Sequence, residues 1–417
     1  MTFRGPARAA PPPAALVLLL AVMGLLNSLC SDMWIPALPA LQAGMGVNGW
    51  QAQQTISLFF IASAFMSLWC GAIADAHGRR RTILAAIFIL ALSAGASALA
   101  TSIEALWALR IAQGLAASAG MVISRAILLD LYHGAEAQHL LGRITLLQIA
   151  SLIATPVLGA WLATHLGWRS VFIALGVVAA AMLLVYWRWL PETLPAERRQ
   201  SLSPGALVGS YLLALRTPRF VRLSIAHVAN WTSMAIYVVS APAIVIHLLG
   251  RQATDIYLIY APITLGLSGG FLALPKLLRS FGGTRLLAMA YGILGASIVL
   301  NLAIAGLLPA GGVSVLPLFI YSFGLAVALP ILVSEAIEPL RQNAGVASSL
   351  QTFLQFAMIA LASSAIAPWL WDSLFALALG TGALTLIGGV AVLLDRNARR
   401  QPPATPLPIA SRHPKSP

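Results

Sequence analysis

The sequence predicts an all-α integral membrane protein with twelve transmembrane helices in two six-helix halves. Three observations carry that prediction. Of 417 residues, 59% are hydrophobic and 9% charged, with a mean hydropathy of +0.87, a composition no soluble core requires. The apolar residues gather in twelve runs, each long enough for the ~20 residues that cross a bilayer. Finally, 21 of the 25 basic residues lie in the two tails or at one alternating set of loops and helix ends; the other set holds only Arg169 and Arg251, and the runs themselves hold Arg110 and Arg125. That is the positive-inside asymmetry, and it places both termini in the cytoplasm. It also accounts for the net charge of +13 without a nucleic-acid partner, because no folded basic module accompanies it.

Taken in order, a short tail at 1–13 leads into the first run. Residues 1–30 have the outline of a signal peptide, with Arg4 and Arg8 before Ala14 to Leu26. No small-x-small cleavage site follows, and the apolar character resumes through Trp34 to Leu41, so an uncleaved first helix is expected. Runs near 14–40, 50–74, 82–100, 104–130, 139–164 and 168–190 make the N-terminal half, 14–190. A sizeable polar linker, 191–218, follows, marked by PETLPAERRQ and LRTPR. Runs near 219–248, 252–278, 284–308, 312–337, 344–370 and 373–394 make the C-terminal half, 219–394, and a Pro-rich tail fills 395–417. Cys30 and Cys70 both sit in apolar runs without metal-ligand spacing and read as packing residues. HGAEAQH at 133–139 is neither H-E-x-x-H nor H-x-x-E-H, so no metal site is expected. There is no G-x-x-x-x-G-K-[ST] loop for ATP, and no cofactor or enzymatic chemistry is expected.

Between the second and third runs lies GAIADAHGRRRTI, Gly71 to Ile83. An acid closes one helix, a turn glycine allows the reversal and three arginines hold the loop in water; Gly71 would let two helices approach closely. This stretch resembles the loop 2–3 signature of the major facilitator superfamily at Gly71, Ile73, Asp75, Gly78, Arg79, Arg80 and Ile83, with Ala76 in place of its first basic residue. LWALRIAQGLAA at 106–117 resembles the family's fourth-helix motif through Arg110, Gln113 and Gly114. Gly142 to Ala160 resembles the fifth-helix antiporter motif, which Pro156 and Gly159 match, whereas Ser151, Thr155 and Ala160 stand where the strict motif has glycine. SDMWIPALPAL, SRAILLD, GWRSVF, LPET and AGVASSLQTFLQF together are similar to the Bcr/CflA group of drug:proton antiporters.

The resemblance implies a secondary active transporter in a bacterial inner membrane that exports small antimicrobial compounds in exchange for protons by alternating access. Its partners would be a drug-like small molecule, protons and the lipid bilayer, and it would act as a monomer. The alternative is a facilitator-fold carrier of a small metabolite, which would present more polar or basic residues to its cavity. By helix rise, Asp32 and Arg110 reach a comparable depth from opposite faces. A carboxylate and a guanidinium in hydrocarbon are costly alone and tolerable when paired or wetted, so the two are the expected proton-coupling site or else a structural ion pair. Gly71, Asp75, Gly78, Arg79, Arg125 and Asp130 form the expected gating cluster, or a solvated helix-end salt bridge. For the substrate cavity the candidates are Trp34, Gln148, Thr155, Pro156, Asn230, Tyr237, Gln351 and Gln355. Gln148, Ser151 and Thr155 share one helix face, as do Asn230, Ser233 and Tyr237, and each face either lines a pathway or packs between helices.

Overall fold

Apolar segments with no water to satisfy their backbone close into helices, and all regular structure among the described residues is helical. The computed structural model describes residues 22–400 apart from 24, 25, 133, 196, 198 and 200–202; side chains at 399, 400 and at many positions from 121 to 150 also lie outside what is described. The first segment is broken: helix α1 (26–31) ends in a turn at 32–34, a 3-10 turn spans Ile35–Ala37, and α2 covers Leu38–Met45. Pro36 and Pro39, each in the first turn of its element, explain why one straight helix cannot run through. There follow α3 (Gly49–His77), started by an Asn48–Gln51 capping box, α4 (Arg79–Ala98), α5 (Ile103–Leu131), α6 (Gly134–Leu166) and α7 (Arg169–Trp189). Between α3 and α4 stands Gly78, whose φ of +97° is open to glycine alone at little cost.

The linker, expected as a polar connection, carries a 12-residue apolar helix, α8 (Pro204–Leu215), whose Tyr211 hydroxyl donates to the Leu68 carbonyl of α3 at 2.7 Å. Burial pushes the Tyr211 phenol up to about 12, so it stays a donor at neutral pH. The second half comprises α9 (Pro218–Val239), α10 (Ala241–Ala243) running into a π turn at Ile244–Leu248, α11 (Tyr257–Phe281), α12 (Gly283–Leu307), α13 (Leu316–Ile337), α14 (Ala344–Leu361) with a π turn at Ala362–Ile366, and α15 (Leu374–Arg400). Among the described residues eight helical stretches have the length and apolarity to cross a membrane, and α9 with the stretch Ala241–Leu248, bent by 47° between them, makes a ninth. One of the eight, Gly312–Leu370, is 59 residues long and holds α13 and α14, which is two passes. Together with α6 and the first apolar run these accommodate the twelve runs of sequence.

In the first half α3 packs on α5, and α4 on α5 and α7; in the second, α11 packs on α13 and α9 on α15. The halves meet along α3 with α14 and along α6 with α11. Large apolar side chains such as Leu92, Val177, Leu184, Val299 and Leu386 stay exposed on the outside, as a lipid-facing surface demands. Close approach is enforced by glycine: a Cβ at Gly114 would meet the Phe59 carbonyl, one at Gly159 the Met33 carbonyl, and one at Gly266 the Phe319 carbonyl. Gly71, in contrast, has nothing within 4 Å of a Cβ position, so close packing is not its purpose here.

Candidate functional site

A cavity of about 160 Å³ lies between the halves, lined by Asn27, Ser28, Ser31 and Asp32 of the first segment, Phe60 of α3, Leu152 of α6, Trp231 and Met234 of α9, and Gln355 and Phe356 of α14, among others. Asp32 is the one ionisable residue among the described residues lining it. The break after α1 places it there: its amide still bonds the Ser28 carbonyl at 2.8 Å, its side chain accepts from Ser31 Oγ at 3.1 Å, and the chain then turns away.

Arg110 is fully buried and is not among the residues lining this cavity, and the expected ion pair with Asp32 is not formed. Its Nε donates to the Thr55 carbonyl at 2.9 Å, and its Nη1 to the Cys30 carbonyl at 2.9 Å and to Gln113 Oε1 at 2.7 Å. Gln113 passes the chain on to Ser97 Oγ at 2.9 Å. The guanidinium also stands 4.5 Å from the Phe59 ring centroid and 5.9 Å from that of Trp34. Arg110 thus ties α3 and α5 to the end of α1, two residues before Asp32. The physical reason it goes unpaired is that the break after α1 leaves the Cys30 carbonyl free, and the guanidinium fork reaches that carbonyl together with Gln113 Oε1 and the Thr55 carbonyl of α3.

Several expected cavity residues face elsewhere. Trp34 is 1% exposed; its Nε1–H donates to Thr55 Oγ1 at 2.7 Å and its ring packs against Phe172 and Trp168. Asn230 Nδ2 donates to the Tyr291 hydroxyl at 2.7 Å and Tyr237 bonds Asn301, so this face of α9 turns into the second half while Trp231, Met234, Ala235 and Val238 face the cavity. Thr155 and Ser151 bond back along α6, to the carbonyls of Ser151 and Gln148; neither they nor Gln148 line the cavity, and among the described residues of that helix Leu152 does. Pro156 lies inside α6 beside them. Gln351 donates to Ser224 on α9, and Gln355 alone of that pair reaches the cavity, where it also meets His227 Nε2 at 3.1 Å.

At the basic end the structure gathers Arg79, Asp75 and Asp130: Arg79 Nη1 is 2.8 Å from Asp75 and its Nε 3.3 Å from Asp130. The Arg125 side chain lies outside the described residues. Sequence reasoning missed Glu192, whose carboxylate accepts from the Arg79 backbone N–H at 2.9 Å and so caps the first turn of α4, and Thr193, which donates to Asp130 at 3.1 Å. Arg80 reaches the carbonyls of Leu190 and Trp187, both at 2.7 Å. The LPET stretch was the available signal, an acid and a hydroxyl placed just after a basic helix end.

The sequence profile of the Major Facilitator Superfamily matches residues 20–363. A chloramphenicol resistance protein of Pseudomonas aeruginosa is 27% identical over 340 residues, covering 81% of this chain and 80% of its own. A bicyclomycin resistance protein homolog of Haemophilus influenzae is 24% identical over 395 residues, covering 92% and 97%. In structure, the human organic anion transporter MFSD10 (TETRAN) superposes with a TM-score of 0.66 at 20% identity, over 93% of this chain and 99% of that one, a likeness of fold. With a family profile spanning most of its length and the same fold in a solved transporter, the chain belongs to the Major Facilitator Superfamily.

Proposed function

We propose that this protein exports small antimicrobial compounds from the cytoplasm in exchange for protons, by alternating access of the central cavity. Membership of the superfamily makes it a multi-pass membrane transporter of small molecules and not an enzyme. The observation that carries the finer reading is Asp32, the one carboxylate among the described residues of a cavity between the halves that is otherwise lined by uncharged and aromatic side chains. Such a group is free to exchange a proton as the cavity wets and dries, and a drug seated against it competes with that proton. The Asn27 Oδ1 atom, buried and without a protein partner, leaves an acceptor there for a guest. Arg110 positions the Asp32 turn through the Cys30 carbonyl. Asp75, Arg79, Asp130 and Gly78, with Glu192, latch the basic end, and positive-inside topology puts that end and both termini in the cytoplasm. Relatives named for resistance to chloramphenicol and bicyclomycin support drugs of that size as cargo, and the unit acting is a monomer.

The test is proton flux in inside-out vesicles, followed with a pH-quenched dye. Adding chloramphenicol, bicyclomycin or another compound of a panel to the acidified vesicles restores fluorescence with the wild type and not with Asp32→Asn. Recovery that is identical in the variant removes Asp32 from coupling, and recovery with metabolites alone establishes the metabolite carrier instead.

A further inference from the structure

We propose that the basic end of the second half binds an anionic glycerophospholipid, with an acyl chain in the groove bounded by α8, α9, α14 and α15 and the headgroup at Arg216. The groove has a volume of about 340 Å³ and is lined by apolar atoms, including those of Leu215, Phe220, Ile225, Met358 and Ile387. Ser224, the one hydroxyl-bearing residue among the described residues lining it, is engaged with Gln351. Ile225 and Ile387 at its edge are 44% and 51% exposed, so it opens on the outer surface of the bundle. Such a groove would be empty or wet in water and is matched in polarity by a hydrocarbon chain.

The linker supplies the second part. Val208, Leu212, Leu213 and Leu215 of α8 are 47–52% exposed, an apolar surface that suits the interfacial layer of a membrane. Tyr211 holds the helix against α3, and α8 also packs on α9 and α14. The charge selects the headgroup. Arg219 is engaged with Glu335 and Glu338, and Arg222 with Asp395. Arg216 is exposed, directly follows Leu215 of the groove and has no carboxylate partner among the described residues. A phosphate on an acyl chain threaded past Leu215 satisfies that guanidinium with charge-assisted hydrogen bonds.

Native mass spectrometry of the full chain in detergent micelles tests this, with phosphatidylglycerol, phosphatidylcholine of the same acyl chains, and the glycerophosphoglycerol headgroup alone as probes. Phosphatidylglycerol is expected to bind more tightly than phosphatidylcholine. Arg216→Gln weakens phosphatidylglycerol about fivefold and leaves phosphatidylcholine unchanged, while Arg216→Lys restores it. Ile387→Trp, which fills the groove from an exposed position, weakens both lipids. Equal affinity for the two lipids, or an Arg216→Gln variant indistinguishable from wild type, overturns the headgroup assignment. A headgroup that binds as tightly as the whole lipid, or an Ile387→Trp variant with unchanged affinity, overturns the groove.

Discussion

Asp32 and Arg110 differ in how their hydrogen-bonding capacity is used. Arg110 uses its Nε and Nη1 donors on two backbone carbonyls and Gln113 inside the first half and leaves Nη2 without a protein partner, whereas Asp32 accepts from a neighbouring serine and faces the cavity. Removing Arg110 leaves the buried Cys30 carbonyl and Gln113 Oε1 without that donor, at ~1–3 kcal/mol for each, while the Thr55 carbonyl keeps its place inside α3. Arg110→Ala is therefore expected to lower the unfolding temperature in detergent by several degrees. Arg110→Lys is expected to recover little, because an ammonium cannot reproduce the planar fork. Asp32→Asn keeps the shape and is expected to unfold within about 1 °C of wild type while losing drug-dependent proton movement. Wild-type stability in Arg110→Lys would show that charge, and not the fork, is what the site needs. The sequence displays Arg110, Gln113 and Asp32 as polar residues that hydrocarbon must tolerate, but it cannot display free carbonyls. Where Pro36 and Pro39 break the first segment, Cys30 presents an acceptor that no residue letter records.

For the elements, hydropathy and proline positions convey most of what is seen, and rotation about each helix axis is what they omit. Asn230, Ser233 and Tyr237 do share a face of α9, but a hydrogen-bonded seam and a wet cavity both call for polar residues, so the pattern alone does not say which way the face looks. Glycines pose the same ambiguity and the geometry resolves it. At Gly159 on α6 a Cβ would run into the Met33 carbonyl, backbone that holds the turn carrying Asp32. At Gly71 on α3 a Cβ meets nothing within 4 Å. Gly159→Ala is expected to cost ~1–3 kcal/mol through displacement of that turn. Gly71→Ala is expected to be neutral or to gain a few tenths of a kcal/mol, since alanine is the better helix former. Parallel thermal unfolding of the two variants checks this, and equal losses would refute the contact account.

In the whole molecule, the two-half architecture is visible in the sequence because each crossing must satisfy its own backbone, whereas the way the halves close on each other depends on contacts hundreds of residues apart. Among the described residues one hydrogen bond joins side chains across the halves: Gln53 Nε2 on α3 donates to Ser363 Oγ in the π turn after α14, at 2.8 Å, with both residues buried. It lies toward the end opposite the basic loops. There a second cavity, of about 110 Å³ and lined by Gln42, Gln53, His247 and Trp371 among others, shares Val239 with the central one. Alternating access requires this bond to break whenever the cavity opens at that end. Ser363→Ala leaves the buried Gln53 amide without its partner only while the end is shut, which penalises the shut state by ~1–3 kcal/mol and favours the opened one about tenfold. A cysteine placed at Val239, buried at 2% exposure, reports this through its rate of labelling by a membrane-impermeant maleimide, with buried Cys30 and Cys70 as the background. The rate is expected to rise about tenfold in Ser363→Ala and to stay at the parental value in Ser363→Thr, which keeps the hydroxyl. An unchanged rate in the alanine variant, or a threonine variant as fast as alanine, would mean that apolar packing holds that end shut and not the hydrogen bond.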